Sequence, residues 1–575
     1  MRQKYDVVII GAGVAGALFA FKLSQSLPGL KIIILEAGAN RTAERTGMSL
    51  AYAASINKNP SSPYNKNKAT YLKSPEGTDD YYTYFDGSQK FKSNYEKLGG
   101  GSTWHWLGNV PRHLPNDFKL NSIYGKGVDW PIEYKDLESH YATAEQELGA
   151  SGNTEEWNNI VDGAYRSAMF PMPKIWPSYL ELHLIQSLNG LHIDDNVIKI
   201  RSTPQARNSQ AYEGRPACAG NSSCVPICPI QAKYDATVHI EKAKRNGVEV
   251  LYESIVNKIE KNAEGKIIKV HFINWDQSVD FVEGKFFVLT SNAIESAVLL
   301  MHSAIANSSG KVGKFLMDHP QGYGVAFNNE PVFPFRGPPT TSGIDAFRDG
   351  AFRKKHAAFR ISLGNDGWSR FAGPDNPNGI DNLEVLLDQQ LNDKTFLLGE
   401  SLKKAIENKV TRMIRFSYST EMLPQESNRV ELDPNKVDPI SQIPRPKINF
   451  VIDTEGKYNQ KAFESAGSVL TKMFHHLKIP KTNFHVQADN KIFSGAGHIM
   501  GTMRMGNHSH DSVVDKNLRT HDHENLFIIS SGVFPTSGTA NPTLTIAALA
   551  IRLAERFTKE LKKTNTAYAK VSGKI

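Results

Sequence analysis

The hydrophobic pattern is strongest at the beginning of the chain, where residues 5–38 read YDVVIIGAGVAGALFAFKLSQSLPGLKIIILEAG. An uninterrupted apolar run at positions 7–10 is typical of a strand that is buried on both faces. A helical stretch at 15–27 follows and ends at Pro28-Gly29, and a second apolar run, KIIIL, ends at Glu36. This order predicts a strand, a helix and a second strand, which together open an α/β sheet.

Three glycines lie between the first strand and the helix in the spacing GxGxxG. Gly11 permits the tight turn, Gly13 lets the backbone approach a pyrophosphate, and Gly16 lets the helix pack closely on the strand. The N-terminus of the helix offers free N–H groups to phosphate oxygens. At Glu36 a carboxylate can accept hydrogen bonds from ribose hydroxyls. The segment therefore predicts a dinucleotide site, and the motif does not choose between FAD and NAD.

The strand–turn–helix pattern returns further along the chain. Residues 285–304 read KFFVLTSNAIESAVLLMHSA, and residues 525–557 give a strand, a Gly/Ser/Pro loop and a helix. Pro542 stands where a proline is expected in the first turn of that helix. We expect both segments to supply strands to the first sheet. Residues 330–490 differ, with dense Pro and Gly and runs such as VTRMIRFSYSTEM, and they predict a second domain.

Length and composition limit the class of protein. A chain of 575 residues is too long for one ordinary core, and 40% hydrophobic with 22% charged residues is typical of a globular protein. The net charge of +8 is a mild excess for this size. No Lys/Arg-rich run with interleaved aromatics accompanies it, so nucleic-acid binding is not expected.

The apolar runs also bear on the relation to membranes. None reaches the roughly 18 residues that a spanning helix needs. The first strand-like run begins at Tyr5, which leaves no room for a signal peptide. We therefore expect a chain without a transmembrane segment of its own, which either stays in the cytoplasm or crosses a membrane together with a partner.

All three cysteines fall within eleven positions, in the stretch RPACAGNSSCVPICPIQAKY. Free thiols in a large intracellular enzyme are usually scattered through cores. The C-x5-C-x3-C spacing of Cys218, Cys224 and Cys228 instead indicates a shared ligand. Zinc would need a fourth ligand from elsewhere, whereas a three-iron cluster needs three thiolates.

A histidine-rich stretch, residues 508–523, is a second candidate for metal binding. It contains two HxH pairs, His508 with His510 and His521 with His523. Imidazole pairs of this kind can hold a transition metal. The alternative is an ordinary loop and strand in which the histidines bind no metal.

Several segments together resemble the glucose–methanol–choline (GMC) oxidoreductases, which are FAD enzymes that oxidise alcohols and sugars. The C-terminal segments HIMGTMRMG (498–506) and ANPTLT (540–545) carry most of the resemblance. LGGGSTWHW (98–106) and VGKFLMDHP (312–320) support it. Within the family the chain is similar to pyranose 2-oxidase, and more so to the flavoprotein subunits of bacterial gluconate, glucose and fructose dehydrogenases. Residues 330–490 match only loosely.

The resemblance implies an α/β fold in which a Rossmann-like FAD-binding domain is interleaved with an α+β substrate-binding domain. The expected order is FAD-binding residues 1–125, a substrate-domain or flavin-cover segment at 126–200, FAD-binding residues 201–325 with the cysteine loop 218–228, a substrate-binding domain at 326–490, and FAD-binding residues 491–575 with the catalytic residues.

The resemblance also implies a catalytic pair. His498 takes the position of the catalytic histidine and Asn541 that of its partner. The chemistry fits, because an alcohol becomes a hydride donor only as its proton leaves, and a neutral imidazole can accept that proton. Asn541 can hold the same hydroxyl through its amide and does not titrate. The hydride would go to flavin N5.

Further residues are expected to contact FAD. By resemblance these are Gly100, Gly101, Ser102, His105 and Thr543, in addition to Gly11, Gly13, Gly16 and Glu36. Trp104 and Trp106 can form walls beside the isoalloxazine ring. His105 has the spacing of the histidine that carries FAD covalently in pyranose 2-oxidase. Two readings stay open: a covalent link through His105, or a pocket histidine beside a flavin held without a bond.

The related dehydrogenases carry a [3Fe–4S] cluster in a segment that NSSCVPICPI resembles. By this resemblance Cys218, Cys224 and Cys228 are its candidate ligands. Many relatives have a further cysteine directly after the first, where this chain has Ala219. If the cluster is present, it passes electrons to an external acceptor. If it is absent, the loop is a remnant that packs beside the flavin.

The leading hypothesis is an FAD-dependent dehydrogenase that oxidises a hydroxyl of a sugar or sugar acid and hands electrons to an external acceptor. The chain has no C-x-x-C-H haem motif, so a cytochrome acceptor is a separate subunit. By resemblance we also expect a small signal-bearing subunit and a periplasmic or membrane-associated location, with the cytoplasm as the alternative. Competing hypotheses are an O2-reducing pyranose oxidase, a glucoside 3-dehydrogenase and a non-catalytic electron-transfer subunit.

Overall fold

The structure is a computed structural model that describes residues 4–54, 81–220, 223–365, 397–453 and 456–571, with backbone only for 564–571. In these residues the helices are α1 (Val14–Ser26), α2 (Arg45–Ala54), α3 (Leu120–Tyr124), α4 (Tyr134–Leu148), α5 (Thr154–Trp157), α6 (Tyr179–Leu188), α7 (Thr237–Arg245), α8 (Ala293–Ser303), α9 (Gly399–Arg412), α10 (Tyr458–His476) and α11 (Thr543–Val571).

The strands are β1 (Lys4–Ile10), β2 (Ile32–Leu35), β3 (Thr83–Tyr84), β4 (His192–Ile193), β5 (Asn196–Val197), β6 (Ile200–Ser202), β7 (Glu249–Leu251), β8 (Ser254–Lys261), β9 (Ile267–Asn274), β10 (Val279–Leu289), β11 (Gln321–Phe327), β12 (Ser342–Ile344), β13 (Phe359–Gly364), β14 (Met413–Thr420), β15 (Arg429–Val437), β16 (Pro444–Asn449), β17 (Phe484–Val486) and β18 (Leu526–Ile528).

The first sheet is built around β1. Its order is β7-β2-β1-β10-β9-β8, and β18 also pairs with β10. Strands β7, β2, β1, β10 and β18 run parallel, while β9 and β8 extend β10 as an antiparallel meander. Ile10 pairs with both Leu35 and Leu289, so three parallel strands end at the same edge of the sheet. Ligands of open α/β sheets bind at such an edge.

The segments predicted for this sheet are confirmed. Val7, Val8 and Ile9 are fully buried, as the continuous apolar run of β1 requires. Helix α1 is buried on most of its surface because it packs against β1, α7 and α11. The late segments return to the same core: β10 and β18 lie beside β1, and Phe557 of α11 packs edge-on against Phe19 of α1 at 5.5 Å between ring centroids.

The second sheet is antiparallel, with the order β17-β11-β14-β13-β12-β6. Its strands alternate between two faces, as period-two side-chain geometry requires. One face packs on α10 through alternate residues of β13 and β14: Phe359, Ile361, Leu363, Ile414, Phe416 and Tyr418. The residues between them line a large cavity: Arg360, Ser362, Gly364, Arg415, Ser417 and Ser419.

Part of the 326–490 segment packs elsewhere. Strands β15 and β16 pair with β3 in a three-stranded sheet, and this sheet packs against α8. Val430, Ile448 and Phe450 therefore belong to the core around the first sheet and not to the core beneath the second. The domain boundaries proposed above stay a prediction.

Candidate active site

A cavity of about 1220 Å³ lies between the two sheets. Its first wall is the strand edge of the parallel sheet, with Ile10, Leu35 and Thr290. Its second wall is the polar face of β13 and β14. The volume exceeds the roughly 300–1,000 Å³ of an ordinary small-ligand pocket, which leaves room for a large cofactor and a substrate together.

The GxGxxG glycines lie at the first wall, and their surroundings separate their roles. A side chain at Gly16 would place its Cβ 2.1 Å from the Gly11 carbonyl oxygen and 2.7 Å from Thr290 Oγ1. Gly11 itself has φ of 107°, a conformation that favours glycine. A Cβ at Gly13 would meet nothing within 4 Å, because Gly13 faces the cavity. This geometry fits a pyrophosphate at the N-terminus of α1.

Glu36 lies at the end of β2 and lines the same cavity. Its carboxylate accepts the backbone N–H of Ala12 at 2.7 Å and that of Gly38 at 2.8 Å. Burial raises the pKa of this carboxyl to about 7. Glu36 thus fixes the glycine loop against the end of β2, in addition to the ribose contact predicted for it.

The second glycine segment packs directly on the first. The Gly100 N–H donates to the Ala12 carbonyl at 3.0 Å, and a Cβ on Gly101 would lie 3.3 Å from Gly13 Cα. Ser102 and His105 follow and line the cavity. The two glycine segments are therefore parts of one site, although about 90 residues of chain separate them.

The two tryptophans of this segment face different ways. Trp106 lines the cavity, but Trp104 is buried in a small separate core with Leu98 and Ile227. The indole N–H of Trp104 donates to the Gly99 carbonyl at 2.9 Å, and the Arg45 guanidinium lies over its ring at 4.0 Å. The prediction that Trp104 forms a wall of the flavin site is wrong, because these contacts turn the indole away from the cavity.

His498 and Asn541 meet in the cavity. Asn541 Nδ2 lies 3.0 Å from His498 Nε2. Asn541 stands two residues before α11, and Thr543, the first residue of that helix, also lines the cavity. Enclosure of the ring, and next to it the charge of a neighbouring histidine, lower the pKa of His498 well below its ordinary value. The imidazole is thus neutral at physiological pH, as a base must be.

The neighbouring histidine is His319, which the sequence analysis did not select. Its Nδ1 lies 2.8 Å from His498 Nδ1, and the two rings are nearly perpendicular. Burial lowers the pKa of His319 to about 4. The segment VGKFLMDHP, which contains His319, supported the family resemblance, so a signal was present, but no local pattern linked this histidine to His498.

Asp318 holds the backbone of the segment that carries His498 in place. Its buried carboxylate accepts the backbone N–H groups of His319 at 2.6 Å, His498 at 3.0 Å and Ala496 at 3.2 Å, together with the Ser93 hydroxyl. Burial raises the pKa of this carboxyl to about 6. One side chain therefore ties both histidine-bearing segments together.

The cysteine loop contacts the cavity through one residue. Val225 lines the cavity, while Cys224 and Cys228 are buried and Cys218 is half-buried. The buried ammonium of Lys233 donates to the carbonyl oxygens of Cys224 at 2.9 Å, Trp104 at 2.8 Å and Trp106 at 2.6 Å. Lys233 therefore ties the cysteine loop to the segment that carries His105.

The thiols do not converge on a metal position. Within the described ranges, no group of three or more His, Cys, Asp or Glu side chains is arranged to hold a metal ion. This holds for the three cysteines and for the histidine-rich stretch 508–523. A three-iron cluster places each thiolate on a different iron and does not need thiols that converge on one ion. The [3Fe–4S] cluster therefore stays a prediction, and no step of the chemistry below passes through it.

The two-sheet fold and the paired glycine segments agree with a flavin-dependent oxidoreductase that acts on CH–OH groups, the class to which the relatives below belong. The chain belongs to the GMC oxidoreductase family. The family models of the N-terminal and C-terminal GMC oxidoreductase domains match residues 199–321 and 424–550. GMC oxidoreductases are FAD-binding flavoproteins. The predicted family, fold class and enzyme class are therefore confirmed.

Individual relatives extend over nearly the whole chain. The chain is 34% identical to the fructose dehydrogenase large subunit of Gluconobacter japonicus over 97% of this chain and 98% of that protein. It is 27% identical to the 2-methyl-1,2-propanediol dehydrogenase of Mycolicibacterium austroafricanum, with 96% and 94% covered. The crystal structure of pyridoxine 4-oxidase from Mesorbium loti matches with a TM-score of 0.59 and 18% identity over 96% of this chain and 99% of that one, which supports the shared fold.

None of the helices in the described ranges has both the length and the apolar character needed to cross a membrane.

Proposed function

We propose that this protein oxidises a secondary or anomeric hydroxyl of a sugar or sugar acid, with His498 as the base. The observation that carries the proposal is the His498 Nε2–Asn541 Nδ2 pair, which faces a cavity bounded by the glycine segments on one side and by a polar strand wall on the other. FAD, when bound, supplies the hydride acceptor at N5. The residues of this chain position the alcohol and take its proton.

The proton transfer follows from the lone pair on His498 Nε2. A substrate hydroxyl that takes the place of the Asn541 N–H on that nitrogen transfers its proton to Nε2 as the C–H bond weakens. The Asn541 amide donates into the same space and orients the hydroxyl oxygen. Asn541 also lies at the N-terminus of α11, where the helix dipole favours negative charge nearby.

The second wall supports a polyhydroxylated substrate. Gln321, Ser362, Ser417 and Ser419 follow one face of three adjacent strands and line the cavity. Hydroxyl and amide side chains both donate and accept hydrogen bonds. A row of such groups matches the several hydroxyls of a sugar better than the single hydroxyl of a simple alcohol.

The electron acceptor belongs to the same proposal. We place an external acceptor, such as a separate cytochrome, first and O2 second. The relative from G. japonicus is named a large subunit, which supports an assembly with further subunits. In this proposal a small signal-bearing subunit accompanies the chain to the periplasmic side of the membrane. Recovery of the native protein from the periplasmic or membrane fraction supports this location, and recovery from the cytosol contradicts it.

The direct test is anaerobic bleaching of the flavin in the purified holoenzyme by D-fructose, D-gluconate or D-glucose. Bleaching without any other protein supports catalysis and contradicts a pure electron-transfer role. His498→Ala should retain flavin and lose bleaching by about 10²–10⁴-fold. Retention of the rate within a few fold contradicts the proposal. Reoxidation by a dye much faster than by air then distinguishes a dehydrogenase from an oxidase.

The same sample tests two cofactor predictions. A [3Fe–4S] cluster requires about three irons per flavin after anaerobic purification, and less than about one iron per flavin contradicts it. Acid precipitation decides the link to His105: yellow colour in the pellet supports a covalent bond, and colour in the supernatant contradicts it.

A further inference from the structure

We propose that His319 is a positioning residue that holds His498 in one tautomer, with the proton on Nδ1 and the lone pair on Nε2. The inference rests on the proposed role of His498 as base, and it adds the group that makes Nε2 available. It follows from the hydrogen-bond partners of the two rings.

On the side away from His498, the His319 ring faces two backbone carbonyls. Its Nε2 lies 3.0 Å from the Gly538 carbonyl oxygen and 3.3 Å from that of Ser537. Carbonyl oxygens only accept hydrogen bonds, so Nε2 carries a hydrogen. A neutral imidazole has one N–H, and the Nδ1 of His319 is therefore a lone pair.

On its other side, the His319 ring contacts His498 through Nδ1. The two Nδ1 atoms are 2.8 Å apart, so one of them donates to the other. Since His319 Nδ1 has no hydrogen, His498 Nδ1 is the donor. The Nε2 of His498 is then a lone pair, and it accepts from the Asn541 amide N–H at 3.0 Å. The hydrogen bonds from the Ser537 and Gly538 carbonyls through the two histidines to Asn541 are all consistent with this single arrangement.

The protonated alternative conflicts with the same contacts. A doubly protonated His319 would direct an N–H at the Nδ1–H of His498 across 2.8 Å. Burial, which lowers the pKa of His319 to about 4, keeps it neutral at physiological pH. The other titratable groups that act on the pair are Asp318, whose carboxylate accepts backbone N–H groups, His113 on the far side of the Ser537 carbonyl, and Glu421, whose charge favours the protonated form of His319 less strongly than burial disfavours it.

His113 provides a matched control. It is buried like His319, and its Nε2 donates to the same Ser537 carbonyl at 3.1 Å. Its Nδ1 lies 2.9 Å from Thr545 Oγ1 and has no contact with His498. A structural disturbance of this network affects both histidines, whereas loss of tautomer control affects only His319.

The first test needs no substrate. In FAD-loaded enzyme labelled with ¹⁵N-histidine, the His498 signals are identified by their loss in His498→Gln. We expect a pyrrole-type Nδ1 and a pyridine-type Nε2 at neutral pH, with the preference lost in His319→Leu. The opposite tautomer in the unmodified enzyme, or an unchanged spectrum in His319→Leu, overturns the proposal. This readout holds even if no tested sugar bleaches the flavin, in which case only the proposed function fails.

The second test uses the rate of anaerobic flavin reduction by a sugar that bleaches the unmodified holoenzyme. His319→Leu should lower the limiting rate by roughly 10²–10⁴-fold, with a much smaller change in apparent sugar affinity. His319→Asn, whose amide oxygen can accept from His498 Nδ1, should recover at least about tenfold of that loss. His113→Leu should stay within about threefold of the unmodified enzyme. Equal losses in the two leucine variants, at equal flavin content, overturn the proposal in favour of a merely structural role.

Discussion

At the scale of single residues, the function of His498 is decided by the groups that surround its two ring nitrogens. Nδ1 faces another imidazole at 2.8 Å, and Nε2 faces an amide N–H at 3.0 Å. A carboxylate beside Nδ1 would stabilise the imidazolium and raise the pKa of His498. A neutral imidazole in that place orients the ring without this effect, so His498 stays neutral and can serve as the proposed base.

Asn541 is the residue at which the smallest change tests this arrangement. Asn541→Asp replaces the N–H donor by an acceptor, which draws the proton of His498 onto Nε2 and removes the lone pair that the substrate needs. We expect kcat/KM to fall by about 10²–10³-fold at equal flavin content. Asn541→Ser, which keeps a hydroxyl donor, should lose less. A rate for the aspartate variant equal to that of the serine variant would contradict this account.

The pH dependence of flavin reduction follows from the lowered pKa of His498. The active form is the neutral imidazole, and a lowered pKa keeps that form populated as the pH falls through the ordinary histidine value of 6.5. We therefore expect kcat/KM for sugar to stay flat from about pH 8 to about pH 6, as measured by anaerobic stopped-flow.

Asp318 provides the control for this profile, because burial raises the pKa of its carboxyl to about 6. An acid limb near pH 6 that disappears in Asp318→Asn belongs to Asp318. A limb near pH 6.5 that persists in this variant would show that His498 titrates normally and would contradict the prediction.

At the scale of elements, the flavin site is formed by two glycine segments that pack against each other at the carboxyl edge of the parallel strands. β1 and α1 hold the first segment, and the Gly100 N–H bonded to the Ala12 carbonyl holds the second against it. Glycine is needed here for two different reasons: close packing of backbone, and access for a ligand. The structure distinguishes the two by what a Cβ would meet.

Two alanine substitutions separate these reasons. Gly13→Ala should fold, since its Cβ meets nothing within 4 Å, but it should lose FAD affinity because the methyl occupies space over the cavity. Gly16→Ala should lower Tm and the yield of folded protein, since its Cβ would lie 2.1 Å from the Gly11 carbonyl oxygen. The measurements are flavin content and thermal unfolding.

Gly47→Ala is the matched control for this pair. It lies on the exposed surface of α2 and also has open space around its Cβ, so flavin content should be unchanged and Tm should not fall, since alanine favours a helix more than glycine does. Normal flavin content in Gly13→Ala would place the pyrophosphate away from this loop.

At the scale of the whole molecule, the cavity is closed by chain segments that come from both ends and from the middle of the sequence. The parallel sheet supplies one wall of the cavity, the antiparallel sheet supplies the polar wall, and His498 and Asn541 also line it. This construction buries three neighbouring histidines. The pKa of His113 is lowered to about 3 and that of His319 to about 4, in both cases mainly by burial.

These histidines make the fold sensitive to acid. Their folded pKa values lie below the unfolded value of 6.5, so the unfolded chain binds more protons and stability falls as the pH drops below 6.5. At pH 5 the lowered pKa of each histidine reduces the free energy of unfolding by about 2 kcal/mol. This value follows because pH 5 lies 1.5 units below 6.5 and one unit corresponds to about 1.4 kcal/mol. We expect the drop in Tm from pH 7 to pH 5 to be smaller in His113→Leu, which lacks one of them.

Two buried carboxyls act in the opposite direction. The pKa of Glu36 is raised to about 7 and that of Asp318 to about 6, so their protonation favours the folded state as the pH falls. The comparison of His113→Leu with the unmodified enzyme isolates the histidine contribution, because both carboxyls are present in both proteins. An equal drop in Tm for the two proteins would contradict the assignment of acid sensitivity to His113.

Local pattern was enough for the nucleotide-binding unit. The apolar run, the glycine spacing and the helical stretch at 5–38 lie within one short segment, and β1, α1 and β2 form there as expected. The strand–helix pairs at 285–304 and 525–557 were found for the same reason. The sequence did not predict that the polar face of β13 and β14 lines the cavity. Alternation along a strand shows that one face is buried, but it does not show what the other face contacts.

The sequence by itself determined the α/β framework, the family and the candidate pair His498 and Asn541, since these depend on local patterns and on motifs that lie close together along the chain. Only the tertiary structure decided how distant side chains meet. It placed His319 against His498 across 179 positions of sequence, and it turned Trp104 away from the cavity. It also showed that the three cysteine thiols are not arranged around a single metal ion. Such contacts depend on the direction of each side chain in the folded state, which sequence spacing does not contain.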